Sequence, residues 1–156
     1  MTEPQVHEGE LDASGKQFAL VVSRYNDFVG NRLVEGSKDC LLRHGADPES
    51  IEIYKVPGSF EIPLTARRVA ENKKFDAVVC LGAVIRGETP HFDFVAGQAA
   101  RGVNRVSLET DVPVVFGVIT TDTLEQAIDR AGARTGNRGA EATLAAIEMA
   151  SLMENI

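Results

Sequence analysis

The chain predicts an α/β domain of three layers, helices packed on both faces of a parallel sheet, and three observations carry that expectation. Four apolar, β-rich runs recur along 156 residues. Segments with helical apolar spacing separate them. No tight hairpin turn joins consecutive runs, so each strand needs a crossover to return parallel.

Residues 18–22 (FALVV) form the first run. Leu33, Val34, Cys40, Leu41 and Leu42 then recur at near-helical spacing, and Gly45 after His44 is a helix stop. Residues 51–56 give a second strand with a Pro57-Gly58 exit. The helix that follows carries Pro63 in its first turn, where a missing N–H is harmless. Residues 77–85 are apolar on both faces, as a central parallel strand must be. Residues 92–108 place Phe92, Val95, Ala99, Val103 and Val106 along one helical side. Residues 112–119 supply the fourth strand, and Thr120-Thr121-Asp122 offers N-cap oxygens to a helix over 123–131. A break at 132–137 precedes an alanine-rich helix over 138–153. This alternation describes a flavodoxin-like, four-stranded parallel sheet with right-handed crossovers, in one domain over 1–156. Residues 1–14 alternate weakly and read either as a frayed tail or as an edge strand added to a neighbouring subunit's sheet.

Composition narrows the function. A length of 156 residues suits one domain able to bury a core without staples. A net charge of −7 with scattered Lys and Arg argues against nucleic acid. The N-terminus lacks the basic start and apolar stretch of a signal peptide, and the longest apolar stretch, 77–85, is too short for a bilayer. The expectation is a soluble, cytoplasmic chain that contacts neither membrane nor nucleic acid. Cys40 and Cys80 lie singly among apolar residues and read as buried, inert thiols.

In an open α/β sheet, ligands bind where loops leave the carboxyl ends of the strands. Three such loops here are rich in chemistry: Ser23 to Phe28, Pro57 to Pro63, and Arg86 to Asp93. Tyr25 and Phe60 leave different strands at the same edge. One such ring alone would cap the core, whereas two make a stacking slot for a flat heterocycle. Glu61 opens a helix, where the macrodipole favours a carboxylate, and it can accept hydrogen bonds from ligand hydroxyls or ring N–H groups. His7 lies in the tail, and His44 suits a helix C-terminus. His91, between Thr89-Pro90 and a helix start, suits acid–base work. Gly87-Glu88-Thr89 could turn N–H groups towards a phosphate, although Glu88 adds an opposing charge. No dinucleotide fingerprint or phosphate-binding Gly-Lys loop occurs. Arg130 points off its helix's apolar stripe (Leu124, Ala127, Ile128, Ala131) and should face solvent within one subunit.

Several segments together carry a resemblance. Arg24-Tyr25-Asn26, Val56-Pro57-Gly58-Ser59-Phe60-Glu61-Ile62-Pro63, Leu81-Gly82-Ala83-Val84-Ile85-Arg86-Gly87, Pro90-His91-Phe92-Asp93, Phe116-Gly117-Val118 and Glu125-Gln126-Ala127-Ile128-Asp129-Arg130-Ala131-Gly132 occur in this order. With them the chain closely resembles the lumazine synthase family over nearly its whole length. The resemblance implies condensation of 5-amino-6-(D-ribitylamino)uracil with 3,4-dihydroxy-2-butanone 4-phosphate, without cofactor or metal. It implies a homopentamer with sites between adjacent subunits. Some relatives assemble twelve pentamers into an icosahedral shell able to enclose riboflavin synthase.

Carried over by position, Tyr25, Asn26 and Phe60 would hold the pyrimidine, with Ser59 and Glu61 binding the uracil and ribityl chain. Ala83, Val84 and Ile85 would offer backbone groups. Glu88, Thr89 and Arg130 would hold the phosphorylated ketone, His91 would shuttle protons, and Phe116 would come from the partner subunit. Many relatives have lysine where Arg134 and Arg138 stand, and arginine differs in reach and geometry. The short 132–137 connection lacks the insertion of some pentamer-only relatives, which implies a full shell. The alternatives are a flavin- or pterin-binding carrier, or a catalytically silent shell protein, on the same fold.

Overall fold

The computed structural model describes residues 1–134 and 136–156. Its elements are β1 (Phe18–Ser23), α1 (Asp27–Arg43), β2 (Ile51–Val56), α2 (Ile62–Glu71), β3 (Ala77–Ile85), α3 (His91–Thr110), β4 (Val114–Thr121), α4 (Leu124–Arg130) and α5 (Arg138–Glu154). The four strands are all parallel in the order β2-β1-β3-β4. The expected three-layer, flavodoxin-like sandwich is what forms.

The strand period of two divides the core. Leu20, Val22, Val79 and Leu81 face one side, where Leu33 and Leu41 of α1 and Ile147 of α5 cover them. Ala19, Val21, Val78 and Cys80 face the other, against Ile62 and Val69 of α2 and Val103 and Val106 of α3. Both faces of β3 are therefore apolar and covered, which is why its sequence is continuously hydrophobic. Burial pushes the Cys80 thiol up to about 12 and raises Cys40 as well, so neither is poised as a nucleophile. His44 follows α1, with Nδ1 2.7 Å from the Cys40 carbonyl oxygen, the structural role expected of it.

Boundaries move where turn chemistry decides them. β4 begins at Val114 and runs through Thr121, two residues later than the expected 112–119. Thr120 and Thr121 are thus strand residues, and the cap of α4 is Thr123. Its hydroxyl accepts from Gln126 N at 3.2 Å, while Gln126 Oε1 accepts from Thr123 N at 3.3 Å, a reciprocal capping box. α1 starts at Asp27, ahead of the apolar positions that announced it, because Asn26 turns the chain through the left-handed region at φ 60°. A single 3-10 turn, Ser59–Glu61, precedes α2.

Residues 1–17 contain no strand in the isolated chain. They are not frayed throughout, either. Glu10 N donates to Ser151 Oγ at 2.9 Å, Ala13 is fully buried and its N–H donates to His44 O at 2.8 Å, and Lys16 pairs with Glu154.

α1 and α5 cross at small residues. Ser37 Oγ donates to Gly139 O at 3.0 Å, and a Cβ on Gly139 would stand 2.3 Å from Leu33 O. The close approach requires glycine at 139. Gly139→Ala should therefore force the helices apart and lower unfolding stability by about 1–3 kcal/mol, measured by urea denaturation. An unchanged midpoint would contradict this contact.

Candidate active site

The site grows out of a mismatch in strand pairing. The β1–β3 ladder ends at Val22↔Leu81, whereas the β3–β4 ladder runs on to Ile85↔Thr121. Beyond Ser23 the chain leans towards β2, with Arg24 N donating to Val56 O at 2.7 Å and Tyr25 N to Pro57 O at 3.1 Å. The last residues of β3 are left with no strand on that side. Arg86 N donates to Thr121 O on the β4 side. Strand alternation then turns the backbone groups of Ala83 and Ile85 the opposite way, towards the opening. Asn26 Nδ2 donates to Ala83 O at 2.9 Å, which holds the Tyr25 loop over this edge.

A cavity of about 820 Å³ occupies the opening. Ala83, Val84 and Ile85 line its floor, and the Pro57-to-Glu61 turn forms one wall. Tyr25 (73% exposed) and Phe60 (59% exposed) stand at its rim. Asn26, Ser59 and Glu61 also line it. Glu61 holds the N-cap position of α2 but makes no side-chain capping bond, which leaves an exposed carboxylate at the wall. His91, first residue of α3, lines the far side; its backbone N–H donates to Thr89 Oγ1 at 3.4 Å, and its imidazole is exposed.

Gly87 and Thr89 border the cavity, whereas Glu88 is exposed and outside its lining. Arg86 anchors this loop from behind. Its Nε donates to Asp122 at 2.9 Å, its Nη1 lies 3.5 Å from Asp93, and its guanidinium sits 4.4 Å from the Phe92 ring centroid. The Asp122 hydrogen bond is the chief reason its pKa rises further, though exposure keeps each pair weak.

Phe116 and Arg130 lie elsewhere. They line a second recess of about 460 Å³ beside β4, and no residue lines both. Arg130 is half-buried there instead of facing solvent outright, and Nη1 donates back to Gln126 O at 3.2 Å. Arg138 and Glu141 share the recess and pair at 2.5 Å. Arg134 is exposed, 3.9 Å from Asp129. Thr135, in the same connection, lies outside the described residues. Among the described residues no three His, Cys, Asp or Glu side chains converge to hold a metal ion.

Sequence reasoning missed Phe94 and Glu141. Phe94 is 68% exposed and lines the first cavity, a contact signalled only by a second aromatic residue shortly after His91. Glu141 was legible as the i+3 partner of Arg138, but nothing local tied that pair to Phe116.

The arrangement suits a flat, hydrogen-bonding ring: aromatic faces at the rim, an open strand edge beneath, a carboxylate and an imidazole at the sides. Comparison with known proteins agrees. Residues 15–154 match the family model described as 6,7-dimethyl-8-ribityllumazine synthase. Two 6,7-dimethyl-8-ribityllumazine synthases, from two strains of Clostridium kluyveri, are each 53% identical over 152 residues, covering 97% of this chain and 99% of the relative. Sheet order, pocket loops and a likeness extending over nearly the whole length converge, and the chain belongs to the 6,7-dimethyl-8-ribityllumazine synthase family.

Proposed function

We propose that this chain is a transferase of riboflavin biosynthesis that condenses 5-amino-6-(D-ribitylamino)uracil with 3,4-dihydroxy-2-butanone 4-phosphate. The products are 6,7-dimethyl-8-ribityllumazine, phosphate and water. The observation that carries this reading is the 53% identity over nearly the full chain, joined to a cavity of the right chemistry. A carrier or a silent shell protein would leave the exposed imidazole at the cavity wall without a purpose.

The uracil ring stacks between Tyr25 and Phe60, with its polar edge against Asn26, Ser59 and the backbone of 83–85. Glu61 accepts from ribityl hydroxyls. The 5-amino group attacks the ketone and water leaves, forming an imine; a carbon-bound proton is removed and phosphate departs. The ribitylamino nitrogen then closes the ring, and a further water is lost. His91 carries protons in these steps. Aligning two reactants can supply about 7–11 kcal/mol, more than one proton-transfer group contributes.

Glu88, Thr89 and Arg130 bind the phosphorylated ketone, and Phe116 packs on the ring from an adjacent subunit. The separation of Phe116 and Arg130 from the His91 cavity supports a site completed between protomers of a homopentamer. One domain over 1–156 then contributes half-sites to two neighbours. The short 132–137 connection supports a sixty-subunit icosahedral shell, cytoplasmic and able to enclose riboflavin synthase.

His91→Ala should slow turnover by about 10²–10⁴-fold yet leave lumazine formation measurable by fluorescence; full inactivity in a correctly assembled variant contradicts a positioning-dominated mechanism. Arg130→Ala removes a charge-assisted contact of about 1.5–3 kcal/mol and should chiefly raise KM for the phosphorylated ketone. An unchanged KM would remove Arg130 from the phosphate site. Analytical ultracentrifugation should find a shell-sized species, and a pentamer alone would refute the shell.

A further inference from the structure

Ser23 ends β1, and Ser59 opens the turn after the adjacent strand β2. Both are buried, at 2% and 6% exposure. Gly82 of β3 lies between them. A Cβ there would stand 2.5 Å from Ser23 Oγ and 3.1 Å from Ser59 Oγ, so both hydroxyl oxygens crowd one spot. A side chain at 82 would displace the Ser23 hydroxyl from this spot. Ser59 lines the His91 cavity, and Ser23 lies outside its lining. Among the described residues, Ser23 Oγ is the buried side-chain polar atom with no hydrogen-bond partner. An unpaired buried hydroxyl is destabilising, so its place near a cavity-lining hydroxyl calls for a hydrogen bond that forms when the cavity is filled.

We propose that Ser23 is a positioning residue that orients Ser59 for the heterocycle. A serine hydroxyl carries one proton and two lone pairs. When a ring enters the cavity, Ser59 rotates about its χ1, and Ser23 O–H donates to Ser59 Oγ. The Ser59 proton is thereby directed into the cavity, towards a carbonyl oxygen of the ring. Ser59 reads an acceptor, complementing the N–H and C=O groups that Ala83 and Ile85 present along the strand edge. The pair selects a heterocycle with a carbonyl at that position over one with an N–H there. This rests on the uracil-binding reading above, and its test separates the two.

The experiment measures calorimetric binding of 5-amino-6-(D-ribitylamino)uracil, and KM and kcat, for wild type, Ser23→Ala, Ser59→Ala and the double variant. Unliganded Ser23→Ala should unfold at or above the wild-type temperature, because an orphaned hydroxyl is gone. Its affinity for the uracil should fall about 3- to 10-fold, with a matching rise in KM and kcat changed less than about twofold. Ser59→Ala should lose at least as much, and the double variant no more than Ser59→Ala alone, since Ser23 acts only through Ser59. Wild-type affinity in Ser23→Ala, or losses that multiply in the double variant, would overturn the proposal. Wild-type protein that binds the uracil without forming lumazine would instead overturn the catalytic reading and leave this one standing.

Discussion

The unequal length of two strand ladders opens the cavity on which the rest of the structure turns. β3 continues past the end of β1 while β4 still pairs along its other side. A strand overhanging its neighbour keeps its rigidity from one partner and exposes a comb of backbone donors and acceptors to the other side. Hydrogen-bonding groups on such an edge are held by the sheet, so a ring that docks there meets them already oriented. Because β1 veers towards β2, the Tyr25 and Phe60 loops rise on one bank of this gap and α3 on the other.

The same geometry explains why the loops can be short. Asn26, in the left-handed region, turns the chain directly into α1, and its side chain donates to Ala83 O. Arg86 ties the third loop to α3 and to the loop after β4. The Arg86 pairs are individually weak because they are exposed. Their use is geometric, since each holds a loop whose backbone borders the cavity. The core beneath is correspondingly dense, with Leu20, Val79 and Leu81 fully buried.

A division of labour follows from the sheet order. The cavity with His91 opens above β1 and β3, whereas Phe116 and Arg130 sit beside β4, the edge strand. The proposed site between protomers would draw on this cation and aromatic ring, which stand apart from the chain's own cavity. Half-buried Arg130 folds back onto the Gln126 carbonyl oxygen of its own helix.

Apolar runs and spacing, together with Pro, Gly and cap signals at the ends, were enough to read every strand and helix, because core-facing residues recur at the period of the element that buries them. The loops with Tyr25, Phe60 and His91 were legible for a related reason: Gly, Pro and polar residues interrupt those apolar runs at strand ends. The end of β4 and the cap of α4 were not, since Thr120 to Thr123 all offer cap oxygens and only the Gln126 reciprocal bond chooses among them. Sequence by itself thus determined the elements, their layers and the carboxyl-end edge. Tertiary structure alone decided which strands adjoin, how far β3 overhangs, that the Ser23 and Ser59 hydroxyls both lie near Gly82, and that Arg130 lies apart from His91. Those outcomes depend on pairings between residues distant along the chain, which no local pattern encodes.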